Sequence, residues 1–239
     1  MRRITWLSAH DAPEWFPPLE QALSEPPGLL AASGDLSSAR LVAAYRRGIF
    51  PWYAPGQPVL WWAPDPRTVL FPEEFRRHRS LAKTIRNKGF DAGVDRQFEA
   101  VIDACAAPRA RSPGTWITPE MREAYVRLHR LGFAHSIEVM RDGALAGGLY
   151  GVRLGGVFFA ESMFSQARDA SKVALAHLAA LCAPNGIALI DCQMPSSHLS
   201  SLGARAISRA QFQGLLERWV SLAPLPLQDT PASMPRAGR

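Results

Sequence analysis

The spacing of apolar positions changes several times along the chain, and each change predicts an element. In SSARLVAAYRRG, 37–48, apolar residues recur at helical spacing. Asp35 or Ser37 stands ready to cap that helix and Gly48 to stop it. The next stretch, IFPWYAPGQPVLWWAPDPR (49–67), has prolines at 51, 55, 58, 64 and 66, which exclude a regular helix. It reads as a proline-stiffened loop carrying Trp52, Tyr53, Trp61 and Trp62, rings that either pack on their own domain or serve as stacking platforms. Residues 76–89 read as a helix with Leu81 and Ile85 turned inward at i,i+4. Two amphipathic helices follow at 95–107 and 118–131, with Trp116 between them in a loop or short strand bracketed by Gly114 and Pro119.

From 134 the period shortens. AHSIEVM alternates as a strand, RDG (141–143) makes a hairpin turn, and 144–154 returns. Gly155 and Gly156 turn the chain again into a third antiparallel strand, 157–164. A helix at 169–182, capped by Asp169 or Ser171, leads to a further strand, 187–192, and a last helix spans 209–220. Three meandering strands, a crossover helix and another strand predict an α+β fold with the helix on one face of a mostly antiparallel sheet. The division expected is an N-terminal domain over 1–67, a main domain over 68–225 and a loose Pro-rich tail over 226–239.

At 239 residues and 47% hydrophobic, the chain has enough apolar material for a packed core. A net charge of +6 favours an anionic partner: nucleic acid, a membrane surface or an acidic ligand. The excess has a local centre, because RRHRSLAKTIRNKG carries Arg76, Arg77, Arg79, Lys83, Arg86 and Lys88 and no acidic residue. Without acidic partners at i,i+4, that face points to phosphate contact. No run of 18 apolar residues occurs and the N-terminus lacks a signal-type apolar core, so a cytoplasmic location is expected. The cysteines, 105, 182 and 192, are odd in number without a CxxC spacing, and no HExxH occurs. No disulfide framework, metal or other cofactor is expected.

Candidate chemistry gathers at the strand ends. Glu161 lies on the third strand of the meander, and Asp191 and Gln193 end the fourth. If the crossover makes those strands neighbours, three polar groups converge at one edge. On extended chain Asp191 and Gln193 share a face, a pairing suited to an acid/base group beside a positioning amide, or equally to a loop-holding pair. Cys192 alternates to the opposite face and reads as a buried thiol; as a nucleophile it would need His177 or His198 as base. A CoA-dependent N-acetyltransferase would need glycine-rich amides where the crossover helix begins, and SQARDASK (165–172) has no glycine. A non-catalytic RNA-binding module would explain the basic helix and tryptophans, but not three converging polar groups.

GIFPWY (48–53), WWAPDPR (61–67), GTWIT (114–118), HSIEV (135–139), GGLYGV (147–152), ESMFS (161–165), ASK (170–172) and LIDCQ (189–193) resemble, in order and across about residues 3–220, the bacterial leucyl/phenylalanyl-tRNA–protein transferases. The resemblance implies a small N-terminal domain joined to a GNAT-like acyltransferase domain that works without CoA. It implies transfer of Leu or Phe, and less readily Met, from aminoacyl-tRNA to proteins with N-terminal Arg or Lys, marking them for degradation by the N-end rule pathway. It assigns Glu161, Asp191 and Gln193 to the reaction centre, Trp52 and Trp116 to the terminal adenosine, and Leu149, Met163, Leu175, Leu178 and Ile190 to the pocket for the transferred side chain. The basic segment, with Arg76, Arg79, Lys83 and Arg86, is the expected contact for the tRNA backbone.

Overall fold

The computed structural model describes residues 4–33, 35–107, 115–220 and 225–229. The chain opens with β1 (Thr5–Trp6), which pairs in parallel with β2 (Leu29–Ser33). Helix α1 (Ser38–Arg46) starts at Ser37, whose hydroxyl accepts from the Arg40 N–H; Asp35 accepts from the Ser37 N–H and pairs with the Arg40 guanidinium. Gly48 ends it at φ +72, and a Cβ there would sit 2.7 Å from the Phe212 ring, so both conformation and space demand glycine.

The proline-rich stretch is only partly a loop. Phe50–Pro51 forms β3 and Val59–Trp62 forms β4, an antiparallel pair in a four-stranded sheet of order β1-β2-β4-β3. The prolines fall at the end of β3 and in the connections on either side of β4, where they remove no needed ladder bond, while the apolar run 59–62 pairs on both sides. Trp61 is fully buried and donates its indole N–H to the Ser33 hydroxyl.

Strand β5 (Arg67–Leu70) then enters a second sheet. After it come α2 (Arg79–Asn87), β6 (Phe90–Val94), α3 (Phe98–Ala106) and α4 (Pro119–Arg130). The expected meander is present as β7 (Ala134–Arg141), β8 (Ala144–Leu154) and β9 (Val157–Ser165). Asp142 and Gly143, both at positive φ, make the first hairpin turn. Helix α5 (Ala170–Cys182) crosses over to β10 (Leu189–Gln193), and α6 (Ser197–Ser201), β11 (Arg205–Ile207) and α7 (Arg209–Trp219) complete the order.

The seven strands run β11-β5-β10-β9-β8-β7-β6, antiparallel except for β9 beside β10. The crossover helix therefore does make those two strands neighbours. Neither proposed cap of α5 acts as one: Asp169 makes no side-chain cap bond, and the Ser171 N–H is taken by the Ser165 hydroxyl at the end of β9.

Helices cover both faces of the sheet, not one. Ile137, Val139 and Leu149 pack under α5, while Tyr150, Val152 and Phe159 pack with residues of α3, α4 and the four-stranded sheet. The central strands are buried on both sides, which hides their alternation and requires two covering layers. The tail expected to be loose from 226 is docked as far as 229. Leu227 joins the core under α5, Gln228 exchanges hydrogen bonds with Asn185, and Asp229 meets His177 and Arg96. Residues 230–239 of that tail, Gly114 and the 108–113 segment lie outside the described residues.

Candidate active site

Two β-bulges set the geometry. On β10, Asp191 pairs with Val69 and Gln193 with Thr68, so Cys192 is the extra residue. Gln193 takes φ +54, a conformation that L residues rarely adopt. On β9, Ala160 pairs with Gly151 and Ser162 with Tyr150, which makes Glu161 the extra residue there. Bulges re-aim side chains, and these break the simple alternation expected from the sequence. Asp191 and Gln193 do not share a face: Asp191 turns into the protein, fully buried, while Cys192 and Gln193 both reach the surface of a cavity.

Asp191 is held from two sides. Arg67 Nε and Nη2 donate to its oxygens at 2.8 and 2.6 Å, and the Gln193 N–H donates to Oδ1 at 3.0 Å. Arg67 is itself 1% exposed, with its guanidinium between the rings of Phe50 and Phe212, 4.8 and 4.7 Å from their centroids. A buried charge is tolerated where it is paired and hydrogen-bonded, and both conditions hold here.

Glu161 stands opposite. Tyr125 donates to Oε2 at 2.7 Å, and the Gln193 side-chain amide donates to Oε1 at 3.4 Å. The Tyr45 hydroxyl bonds in turn to that of Tyr125. Burial pushes the Glu161 carboxyl up to about 7; the tyrosine hydrogen bonds oppose the shift, Asp191 adds to it and Arg67 opposes it. A carboxyl in that range exchanges a proton near neutrality, as a general base must. Burial holds the hydroxyls of Tyr45, Tyr125 and Tyr150 neutral, with pKa values well above the usual phenol. It also pushes the Cys192 thiol well up, so little reactive thiolate is present.

Two cavities meet at this edge. One, of about 400 Å³, runs inward past Trp116, Met163 and Leu175, with Ser196 and His198 of the α6 region on its far side. The other, of about 330 Å³, lies between Trp116 and the Phe50–Trp52 segment, with Met194 beside it. Trp116, Glu161, Cys192 and Gln193 belong to both, so polar groups stand at the junction of a mostly apolar wing beside Trp52 and a mixed one that combines Met163 and Leu175 with Ser162, Ser196 and His198. His198 is held below its usual pKa by burial and by Lys172, so it is a neutral ring at physiological pH.

Of the residues singled out from the sequence, Trp52, Trp116, Met163, Leu175, Glu161 and Gln193 line this double cavity. Leu149, Leu178 and Ile190 do not; each is fully buried in the core between α5 and the sheet, Leu178 on the helix itself, and Leu149 lies directly across the ladder from Met163. Arg79, Lys83 and Arg86 are exposed on α2, which packs on α5 through the side that buries Leu81. Arg76 is exposed but precedes that helix, its N–H bonded to the Leu202 carbonyl. The helix, Arg79–Asn87, is shorter at both ends than the 76–89 expected. Arg67, Tyr45, Tyr125 and Ser196 were not singled out. Tyr45 and Tyr125 sit at core positions of amphipathic helices, where nothing in the spacing separates a packing ring from one that presents a hydroxyl. Among the described residues no group of three or more His, Cys, Asp or Glu is placed to hold a metal ion.

Residues 69–217 match the family described as leucyl/phenylalanyl-tRNA protein transferase, and residues 34–65 match the N-terminal domain of the same family. A leucyl/phenylalanyl-tRNA–protein transferase from Chromohalobacter salexigens is 60% identical over 230 residues, 96% of this chain and 89% of that protein. One from Pseudomonas entomophila is 60% identical over 215 residues, covering 90% and 94%. Among solved structures, a GCN5-related N-acetyltransferase from Kribbella flavida superposes with a TM-score of 0.40 at 13% identity, covering 60% of this chain and 55% of that one.

Proposed function

The chain belongs to the leucyl/phenylalanyl-tRNA–protein transferase family, and on that premise we propose that it acts in the cytoplasm and moves Leu or Phe, and less readily Met, from aminoacyl-tRNA to the α-amine of proteins that begin with Arg or Lys, marking them for degradation. The observation that carries this reading is the junction of two cavities at Glu161 and Gln193, one beside Trp52 and one beside Met163 and Leu175. One wing takes the terminal adenosine between Trp52 and Trp116, and the other takes the side chain beside Met163 and Leu175. Leu149, Leu178 and Ile190 shape that second wing from behind. Arg76, Arg79, Lys83 and Arg86 hold the tRNA backbone.

The aminoacyl ester is already activated, so attack by an amine needs no further energy source. The acceptor nitrogen bonds to the ester carbonyl carbon and loses a proton, which Glu161 Oε1 is placed to accept. The Gln193 amide, turned toward the same oxygen, orients the amine or donates to the tetrahedral oxyanion. The C–O bond to the terminal ribose then breaks and the ribose oxygen takes up a proton, leaving an amide on the acceptor. Asp191, fully engaged by Arg67 and the Gln193 N–H, acts by fixing Gln193 rather than by touching substrate. A pocket walled by a flexible Met and a Leu separates side chains by shape, at roughly 1–3 kcal/mol per methylene, so it accepts unbranched Met and disfavours β-branched residues.

The test is transfer of labelled Leu from charged tRNA to a peptide beginning with Arg, against the same peptide blocked at its α-amine. Transfer to the free peptide alone is expected. Acylation that requires acetyl-CoA instead would replace this reading.

A further inference from the structure

Arg67 occupies the point where the chain leaves the four-stranded sheet, whose last strand ends at Trp62, and enters the seven-stranded one. Its guanidinium reaches four separate places. Nε and Nη2 grip Asp191 on β10; Nη1 donates to the Gly48 carbonyl at 2.9 Å; Phe50 of β3 and Phe212 of α7 cover its two sides. Asp191 lies two residues before Gln193, and Gly48 lies four residues before Trp52.

We propose that Arg67 is a positioning residue that couples the Trp52 wall to the reaction centre, one buried cation setting both the Gly48–Trp52 segment and the Asp191–Gln193 turn. A planar guanidinium presents several donors in a fixed fork; here two of its nitrogens grip the Asp191 carboxylate together while the third turns to the Gly48 carbonyl. Lysine keeps the charge but offers one point of contact and no flat face. Loss of the fork releases Asp191, which holds the Gln193 N–H at positive φ, and releases the carbonyl from which the chain runs into Phe50 and Trp52. Asp191 touches only the first of these two. Arg67 therefore governs the nucleotide-binding wall as well as turnover, whereas Asp191 governs turnover alone.

This inference rests on the aminoacyl-transfer reading, and its test carries one arm that does not. Protein labelled with 5-fluorotryptophan is observed by fluorine NMR, with the Trp52 resonance assigned from Trp52→Phe, and the same preparations are assayed for transfer and melted thermally. Arg67→Lys is expected to move the Trp52 resonance, raise KM for aminoacyl-tRNA and lower kcat by about 10²-fold, the scale of an ångström-size misplacement. Asp191→Asn is expected to lower kcat with KM and the Trp52 resonance unchanged. Should Arg67→Lys fail to fold, the uncharged double variant Arg67→Gln/Asp191→Asn carries the test, with the Trp52 shift expected to persist because the Gly48 bond is still lost. An unmoved Trp52 resonance in a folded Arg67 variant overturns the coupling and leaves Arg67 as the counter-ion of Asp191. Absence of transfer by the unmodified protein would sink the functional reading while the fluorine arm still decided the coupling.

Discussion

Tyr125 donates its hydroxyl to Glu161 Oε2 across 2.7 Å, so a side chain of α4 fixes the carboxyl at the cavity junction. The bond favours the ionised carboxylate, against the burial that disfavours it. Transfer should therefore rise with pH through about 7 as Glu161 becomes able to accept a proton. Tyr125→Phe should move this limb to higher pH, and Glu161→Gln should abolish it with a fall of roughly 10²–10⁴-fold in rate. A pH profile of kcat for the three proteins checks both. A limb that stays in place in Tyr125→Phe would remove Glu161 as the base.

The same group ties stability to pH. Its folded pKa lies above that of a carboxyl in an unfolded chain, so the native state binds more protons between the two values. Its contribution to stability is greatest on the acid side of that window and falls as pH rises through about 7. Thermal melts across this range should show that slope in the unmodified protein and a flatter one in Glu161→Gln.

Asp191→Asn strips a buried ion pair of one charge, and breaking such a pair costs about 3–5 kcal/mol. Asp191 also raises the pKa of Glu161, so its neutralisation should shift the pH limb downward, opposite in sign to Tyr125→Phe. Denaturant unfolding and the pH profile measure the two effects separately. A limb that stayed in place would show that the Asp191 charge does not act on Glu161.

The wall and the backing of the side-chain wing should respond differently. Met163→Phe narrows the cavity and should block Phe transfer before Leu transfer, since overpacking costs roughly 1–3 kcal/mol. Leu178→Ala, behind the wall, should lose about 2–5 kcal/mol of stability with little change in the Leu/Phe ratio. Competition between the two charged tRNAs gives the ratio directly, and equal loss of both in Met163→Phe would move the side-chain site elsewhere.

Arg79, Lys83 and Arg86 stand exposed on α2. Each phosphate contact they make should contribute about −0.7 to −0.9 to the slope of log affinity against log salt. The triple alanine variant should bind tRNA more weakly and with a flatter slope; an unchanged slope would place the tRNA on another face.

The meander β7–β9 and its crossover helix were legible because one alternating run, two glycine-bearing turns with apolar segments between them and a helical run follow one another without interruption. So were Glu161, as an acid within an otherwise apolar strand, and Gln193, as a polar residue at a strand end. Residue order alone also marked Trp52 and Trp116, through motifs shared with a family. Strands β5, β6 and β11 were not legible: they are short, and their pairing partners lie far away in sequence. What only the tertiary structure decided was the direction of each side chain at the centre. A bulge inserts one residue against a partner strand, and whether it forms depends on that partner, so no local pattern reveals it. The bulge at Cys192 turned Asp191 inward to Arg67, 124 residues earlier in the chain, and the bulge at Glu161 brought it to Tyr125. The residue types at the site were written in the chain; which of them face the cavity and which hold the others in place was set by contacts between distant segments.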